Sequence, residues 1–153
     1  MEAKIQLHSN QFAVWTNRSR YRVLVTGRRF GKTTLAISEL ILYALSHNKS
    51  YLWYVAPTYR QAKMIAWRML KAQLEDLGIP ARNNESELAT TLPNGSVIEL
   101  KGADNRESLR GVGLNGLVVD EFASMHDNWT TWHEVLRPIL ADKKGWVLFI
   151  GTP

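Results

Sequence analysis

Residues 22–47 constrain the fold of this 153-residue chain more than any other stretch. RVLVT (22–26) is apolar and β-branched, short enough for a buried strand, and runs straight into a glycine-bearing loop. Residues 33–47 follow with Leu35, Ile37, Leu40, Ile41 and Leu42, a run long enough to be a helix. The rest of the chain repeats the alternation. YLWYVA (51–56) reads as a second strand stopped by Pro57. Residues 60–77 place Met64, Ile65, Trp67, Leu70 and Leu74 near helical spacing, with Gly78 as the stop signal. Residues 116–119 and 146–150 (WVLFI) read as further core strands, and 129–140 as a helix that Pro138 is expected to kink. Strands alternating with helices predict an α/β fold, a mostly parallel sheet flanked by helices. One segment departs from the pattern. Two β-prone runs, 88–92 and 96–101, flank Pro93-Asn94-Gly95, which predicts an inserted β-hairpin. Residues 103–115 are polar and glycine-bearing, a loop with one short helical turn.

Composition narrows the classes. The length predicts one domain with a real core, and no internal repeat or low-complexity tract breaks it. The absence of cysteine removes disulfides, thiolate zinc sites and cysteine nucleophiles together. The longest oily stretch, 35–45, is interrupted by Ser38, Glu39 and Tyr43 and is too short to span a bilayer. Residues 1–12 lack the apolar core of a signal peptide, so a soluble intracellular domain is expected. The net charge of +5 permits nucleic-acid binding and equally suits an ordinary solvated surface.

Two motifs carry chemistry. Gly27-Arg28-Arg29-Phe30-Gly31-Lys32-Thr33 sits between the first strand and the first long helix. Glycines there let backbone N–H groups turn towards phosphate oxygens, and the helix N-terminus adds its positive end. Lys32 is placed to reach the β- and γ-phosphates, and the Thr33 hydroxyl to bind Mg²⁺. The general spacing G-x4-GK-[ST] would put the first glycine at position 26, where Thr26 stands; Gly27 comes one residue later. The strand-then-helix context that the motif requires is present, and a glycine-containing βα turn with a stray lysine is the bland alternative. The second motif is Leu117-Val118-Val119-Asp120-Glu121, an apolar strand ending in two acids. Ligands gather at that end of open α/β sheets, so Asp120 is placed to hold Mg²⁺ and Glu121 to orient or deprotonate an attacking water. Arg28 and Arg29 within the loop, and Arg110 in SLRG, are candidate cations for charge developing on a γ-phosphate.

The ordered series Gln11, RVLVTGRRFGKTT, YVAPTYRQA, PNGS, SLRG, LVVDEFA and FIGTP resembles the ATPase domain of the large terminase subunits of tailed bacteriophages. The resemblance covers nearly the whole chain. It implies a P-loop NTPase of the additional-strand class, with ATP and Mg²⁺ as cofactors, whose hydrolysis drives double-stranded DNA into a procapsid. It implies nucleotide binding by Gln11, Gly27, Arg28, Arg29, Phe30, Gly31, Lys32, Thr33 and Thr34, with Gln11 on the adenine edge and Tyr21 or Arg22 flanking the base. Thr33 and Asp120 would hold the metal, Glu121 would be the catalytic glutamate, and Gly151-Thr152-Pro153 the segment coupling hydrolysis to movement. Arg110 matches a position that acts across a ring of subunits. The implied partners are double-stranded DNA, a portal protein, a small terminase subunit and further copies in a homo-oligomeric ring, with no membrane, in the host bacterial cytoplasm.

Further expectations accompany these. The chain ends directly after a strand, as if cut from something longer, and before the nuclease domain of that family, so no nuclease activity is expected of it. Residues 22–26 would then be an apolar sheet edge prone to self-association. A helicase-like DNA-dependent ATPase and a non-catalytic nucleotide-binding fragment are the alternative readings. The four histidines show no metal-ligand spacing, Trp129 and Trp132 read as one buried stripe, and Lys143-Lys144 as a solvated turn.

Overall fold

The computed structural model describes residues 5–153; residues 1–4, part of the stretch read for a leader, lie outside them. Seven strands form one sheet: β1 (Tyr21–Val25), β2 (Tyr51–Ala56), β3 (Arg82–Asn84), β4 (Ala89–Thr91), β5 (Val97–Gly102), β6 (Gly116–Asp120) and β7 (Trp146–Gly151), in the order β1-β7-β6-β2-β5-β4-β3. The first five in that order pair in parallel, and β4 and β3 add antiparallel. The hairpin is present but is no separate insert: β5 pairs in parallel with β2, so it widens the main sheet, and the short polar strand β3 extends it further. β7 lies between β1 and β6, the placement expected of the additional-strand class.

Strand periodicity sorts the core into two layers. Leu52, Tyr54 and Ala56 of β2, Val118 of β6, and Leu148 and Ile150 of β7 face α2 (Lys32–Ser46) and the helix spanning 59–76. Trp53, Val55, Leu117, Val119 and Val147 face the helix spanning 128–141. Both faces of the central strands are buried, which is why they read as unbroken apolar runs rather than alternating ones. Among the described residues no helix is long and apolar enough to cross a membrane.

Both outer helices contain π turns. In the first, Ala62–Trp67 is π, and the extra residue per turn brings Ala62, Ala66 and Trp67 onto the buried face together. In the second, Thr131–Leu136 is π and runs up to Pro138, whose missing N–H cannot serve the preceding turn; the turn widens where a kink was expected. That widening also corrects the tryptophan stripe. Trp132 packs edge-on against Tyr21 and Phe149, with centroids 6.4 and 5.0 Å away, while Trp129 is 67% exposed and tilts over His133.

β1 lies at the sheet edge, as expected, with Val23 and Val25 exposed. At its start, Arg22 forms two contacts to Glu39 of α2, at 2.7 and 2.5 Å, with the Glu39 side chain only 2% exposed. Removing one partner of such a pair strands the other charge in a dry layer. Glu39→Ala is expected to lower stability by roughly 3–5 kcal/mol, read from urea unfolding curves.

Candidate functional site

The carboxyl-terminal ends of the central strands and the start of α2 open onto one cleft of about 880 Å³. Arg28, Gly31, Lys32, Thr33, Thr34, Asp120, Glu121 and Thr152 line it, and Gln61, Ile65 and Met69 of the 59–76 helix form its side wall. Its loop is shaped by two glycines. Arg28–Phe30 make a 3-10 turn closed by the Phe30 N–H on the Gly27 carbonyl, at 3.2 Å. Gly31 then takes a left-handed φ of +80°, and a Cβ there would lie 2.6 Å from Gln11 Nε2. The left-handed backbone is what favours glycine at that position, since the Gln11 amide is the end of a flexible side chain.

Lys32 starts α2 and is 8% exposed. Its ammonium donates to the carbonyls of Thr26 (2.7 Å) and Gly27 (3.2 Å), and it forms no ion pair among the described residues. A buried cation held by carbonyls alone, beside a helix N-terminus, is poised for an anion.

Register explains the acidic end. Tyr54 pairs with Val118, so Asp120, two residues on, shares their face with α2 and Thr33. The Tyr54 hydroxyl donates to Asp120 Oδ2 at 2.5 Å. Burial is the main reason the Asp120 carboxyl is pushed above its ordinary range, with the Tyr54 hydrogen bond opposing. Burial, followed by the Asp120 charge, pushes the Tyr54 phenol well up, so it stays a donor. Glu121 leaves the strand with φ 49° and ψ 50°, an uncommon conformation for a non-glycine and one held by its N–H on the Ile150 carbonyl at 2.8 Å. Its Oε1 accepts from the Thr152 hydroxyl at 2.6 Å. The neighbouring strand β7 and the residue just beyond it thus clamp the second acid from both backbone and side chain.

Other expected residues fall elsewhere. Arg29 is exposed and does not line the cleft, whereas Arg28 does. The Arg110 side chain is 50% exposed, lies 3.8 Å from Glu107, and stands outside the cleft. Tyr21 and Arg22 are at the far end of β1, engaged by Trp132 and Glu39, and are not among the cleft residues. Gly151 accepts the Thr26 N–H at 3.1 Å, tying β7 to the loop. Gln11 reaches the loop from behind: its amide donates to the carbonyls of Gly31 (3.1 Å) and Phe30 (3.4 Å).

Sequence reasoning missed Tyr54 and His8. His8 caps α1 (Ser9–Thr16), its Nδ1 accepting from the Gln11 N–H at 3.2 Å while its Nε2 meets the Phe30 carbonyl at 2.7 Å. One neutral tautomer satisfies both, so His8 and Gln11 brace the loop as a unit. A tyrosine inside an otherwise non-polar buried strand was the available signal for Tyr54, because a buried phenol must find an acceptor.

The donors present suit a nucleotide with its metal. The Thr33 hydroxyl and Asp120 carboxylate are hard oxygen ligands on the cleft, and no group of three His, Cys, Asp or Glu gathers among the described residues. Such a set matches Mg²⁺ completing its shell with water and phosphate oxygens. Comparison with known proteins gives the family. The family profile described as "Terminase large subunit, T4likevirus-type, N-terminal" matches residues 23–153. The chain belongs to that family.

Within the family, the terminase large subunit of Thermus phage G20c is 27% identical over 95% of this chain, which spans 33% of that protein. The solved large terminase ATPase domain of Thermus phage P74-26 superposes with a TM-score of 0.86 at 27% identity, over 97% of this chain and 65% of that one. A large terminase from another thermophilic bacteriophage, solved in complex with ADP, shares the fold at a TM-score of 0.77 and 16% identity, over 95% of this chain and 39% of that one. The chain therefore has the P-loop NTPase fold of terminase ATPase domains, and it spans about a third of the length of the curated relative.

Proposed function

We propose that this chain is an ATP-hydrolysing motor domain of a viral DNA-packaging terminase, coupling Mg-ATP turnover to movement of double-stranded DNA into a procapsid. The observation that carries the reading is the buried Lys32 ammonium, in no ion pair among the described residues, facing the same cleft as Thr33, Asp120 and Glu121. The ADP complex of a relative with the same fold supports nucleotide as the ligand.

Lys32 and Arg28 take the phosphates, and Thr33 and Asp120 hold the metal. Mg²⁺ held there would supply positive charge to offset that of the phosphates. Glu121 orients a water and accepts its proton as the oxygen attacks the γ-phosphorus, and ADP departs. Thr152, hydrogen-bonded to Glu121, places the end of β7 where a change at the glutamate is felt directly. Arg110, exposed and away from its own cleft, is assigned to a neighbouring copy in a ring. Portal protein, small terminase subunit and DNA are the proposed partners, and the bacterial cytoplasm the proposed setting. No nuclease activity is proposed for these residues.

The test is phosphate release per molecule with Mg-ATP as protein concentration rises. Activity per molecule is expected to climb, and Arg110→Ala to stay flat and low, because an inserted arginine contributes about 10³–10⁵ in turnover. A constant rate equal in both proteins would remove the shared-site part of the proposal. Nucleotide binding without any turnover would favour a non-catalytic module.

A further inference from the structure

We infer that Tyr54 is a positioning residue for the metal-holding carboxylate, its phenol occupying Asp120 Oδ2 so that Oδ1 is the oxygen presented towards Thr33 and Mg²⁺. The inference rests on the metal roles proposed above and concerns a residue that lines the same cleft.

A carboxylate on a strand end has two equivalent oxygens and a soft terminal torsion, so nothing intrinsic selects which oxygen meets a cation. The sheet supplies the selection. β2 lies beside β6, with Tyr54 opposite Val118, and a tyrosine is long enough to reach the diagonal neighbour two residues further along the same face. The diagonal neighbour here is Asp120, and the contact is 2.5 Å. The ring cannot swing away: Tyr54 is 1% exposed and packed in the layer beneath α2 with Ile37 and Val118. Thr33 lines the same cleft as Tyr54 and Asp120, so both residues assigned to the metal stand around one buried side chain. Outer partners of metal-binding groups commonly govern affinity in this way, and their loss typically costs about 10–100-fold.

The experiment titrates Mg²⁺ against binding of a fluorescent, non-hydrolysable ATP analogue. Tyr54→Phe keeps the ring and removes only the donor. Its Mg²⁺ midpoint is expected to rise about 10–100-fold, while affinity for the analogue without Mg²⁺ stays close to wild type and the melting temperature falls only by the loss of one hydrogen bond to a buried carboxylate. In an Asp120→Ala background the same substitution is expected to add nothing, because the group it orients is gone. A midpoint within twofold of wild type would overturn the inference. So would a further shift in the Asp120→Ala background, which would show that the phenol acts by some other route. A wild-type chain whose nucleotide binding ignores Mg²⁺ would instead overturn the metal roles themselves, and this inference with them.

Discussion

Lys32→Ala is expected to abolish detectable ATP hydrolysis, with turnover falling by at least about 10²–10³, the loss seen when one preorganised donor to a developing anion is removed. The same substitution is expected to leave the fold as stable as wild type or more so. Lys32 is buried to 8% exposure and its ammonium donates to two carbonyls, so the folded chain carries a cation that forms no ion pair among the described residues. Alanine removes that burden and suits a helix start. Activity and stability should therefore move in opposite directions, which separates a ligand-binding lysine from a structural one. Nucleotide provides a second readout. A ligand at 100 times its Kd stabilises the state it binds by about 2.7 kcal/mol, so wild type should gain melting temperature with Mg-ATP while Lys32→Ala gains none. Lys32→Arg is not expected to rescue, since a planar guanidinium cannot place one point charge between the loop carbonyls and a phosphate. Unchanged turnover in Lys32→Ala, or a large drop in its stability, would overturn the assignment.

The parts of the site legible in one dimension are those where chemistry and chain position coincide. Gly31, Lys32 and Thr33 are consecutive, so a strand, a left-handed glycine and a helix start are enough to bring them together. Asp120 and Glu121 end a strand buried on both faces, and a parallel sheet delivers that end to the same side as the loop. The four core strands were readable for a related reason: YLWYVA and WVLFI are short, β-rich and closed by proline or by the polar end of the sheet. Contacts across the sheet were not readable. Whether Tyr54 touches Asp120 depends on which strand neighbours β2 and in what register, and neither leaves a trace within the strand itself. His8 was opaque for the same reason, because its partner Phe30 lies 22 residues away through a tertiary contact. The hairpin was recognised from Pro93-Asn94-Gly95, yet its parallel joining to β2 depended on a pairing 46 residues apart, seen in Ser50 and Ser96. Trp129 failed differently: a three-residue spacing implies a shared face only in a regular α-helix, and the π turn from Thr131 breaks that rule.

Glu121→Gln should separate binding from chemistry. Gln is the same shape, and its amide oxygen can still accept from Thr152, so the side chain should stay where the carboxylate stands now, 2.6 Å from the Thr152 hydroxyl. What it loses is the capacity to take a proton from water. Positioned proton acceptors typically contribute about 10²–10⁴ in rate, so turnover should fall by that amount while nucleotide affinity holds within about twofold. Thr152 allows the positional contribution to be measured separately. Thr152→Val removes the donor and keeps the β-branched shape of the residue just beyond β7, leaving the Glu121 side chain untethered on one side. Its turnover should drop by roughly tenfold, the size of about one charge-assisted hydrogen bond, and Thr152→Ser should recover it. Combining Glu121→Gln with Thr152→Val should cost no more than Glu121→Gln alone, because a tether has no value once the group it holds cannot accept the proton. Additive losses would mean that Thr152 acts on the nucleotide independently. Turnover surviving in Glu121→Gln would mean that the proton leaves by another route, and the unusual backbone of Glu121 would then need a different explanation.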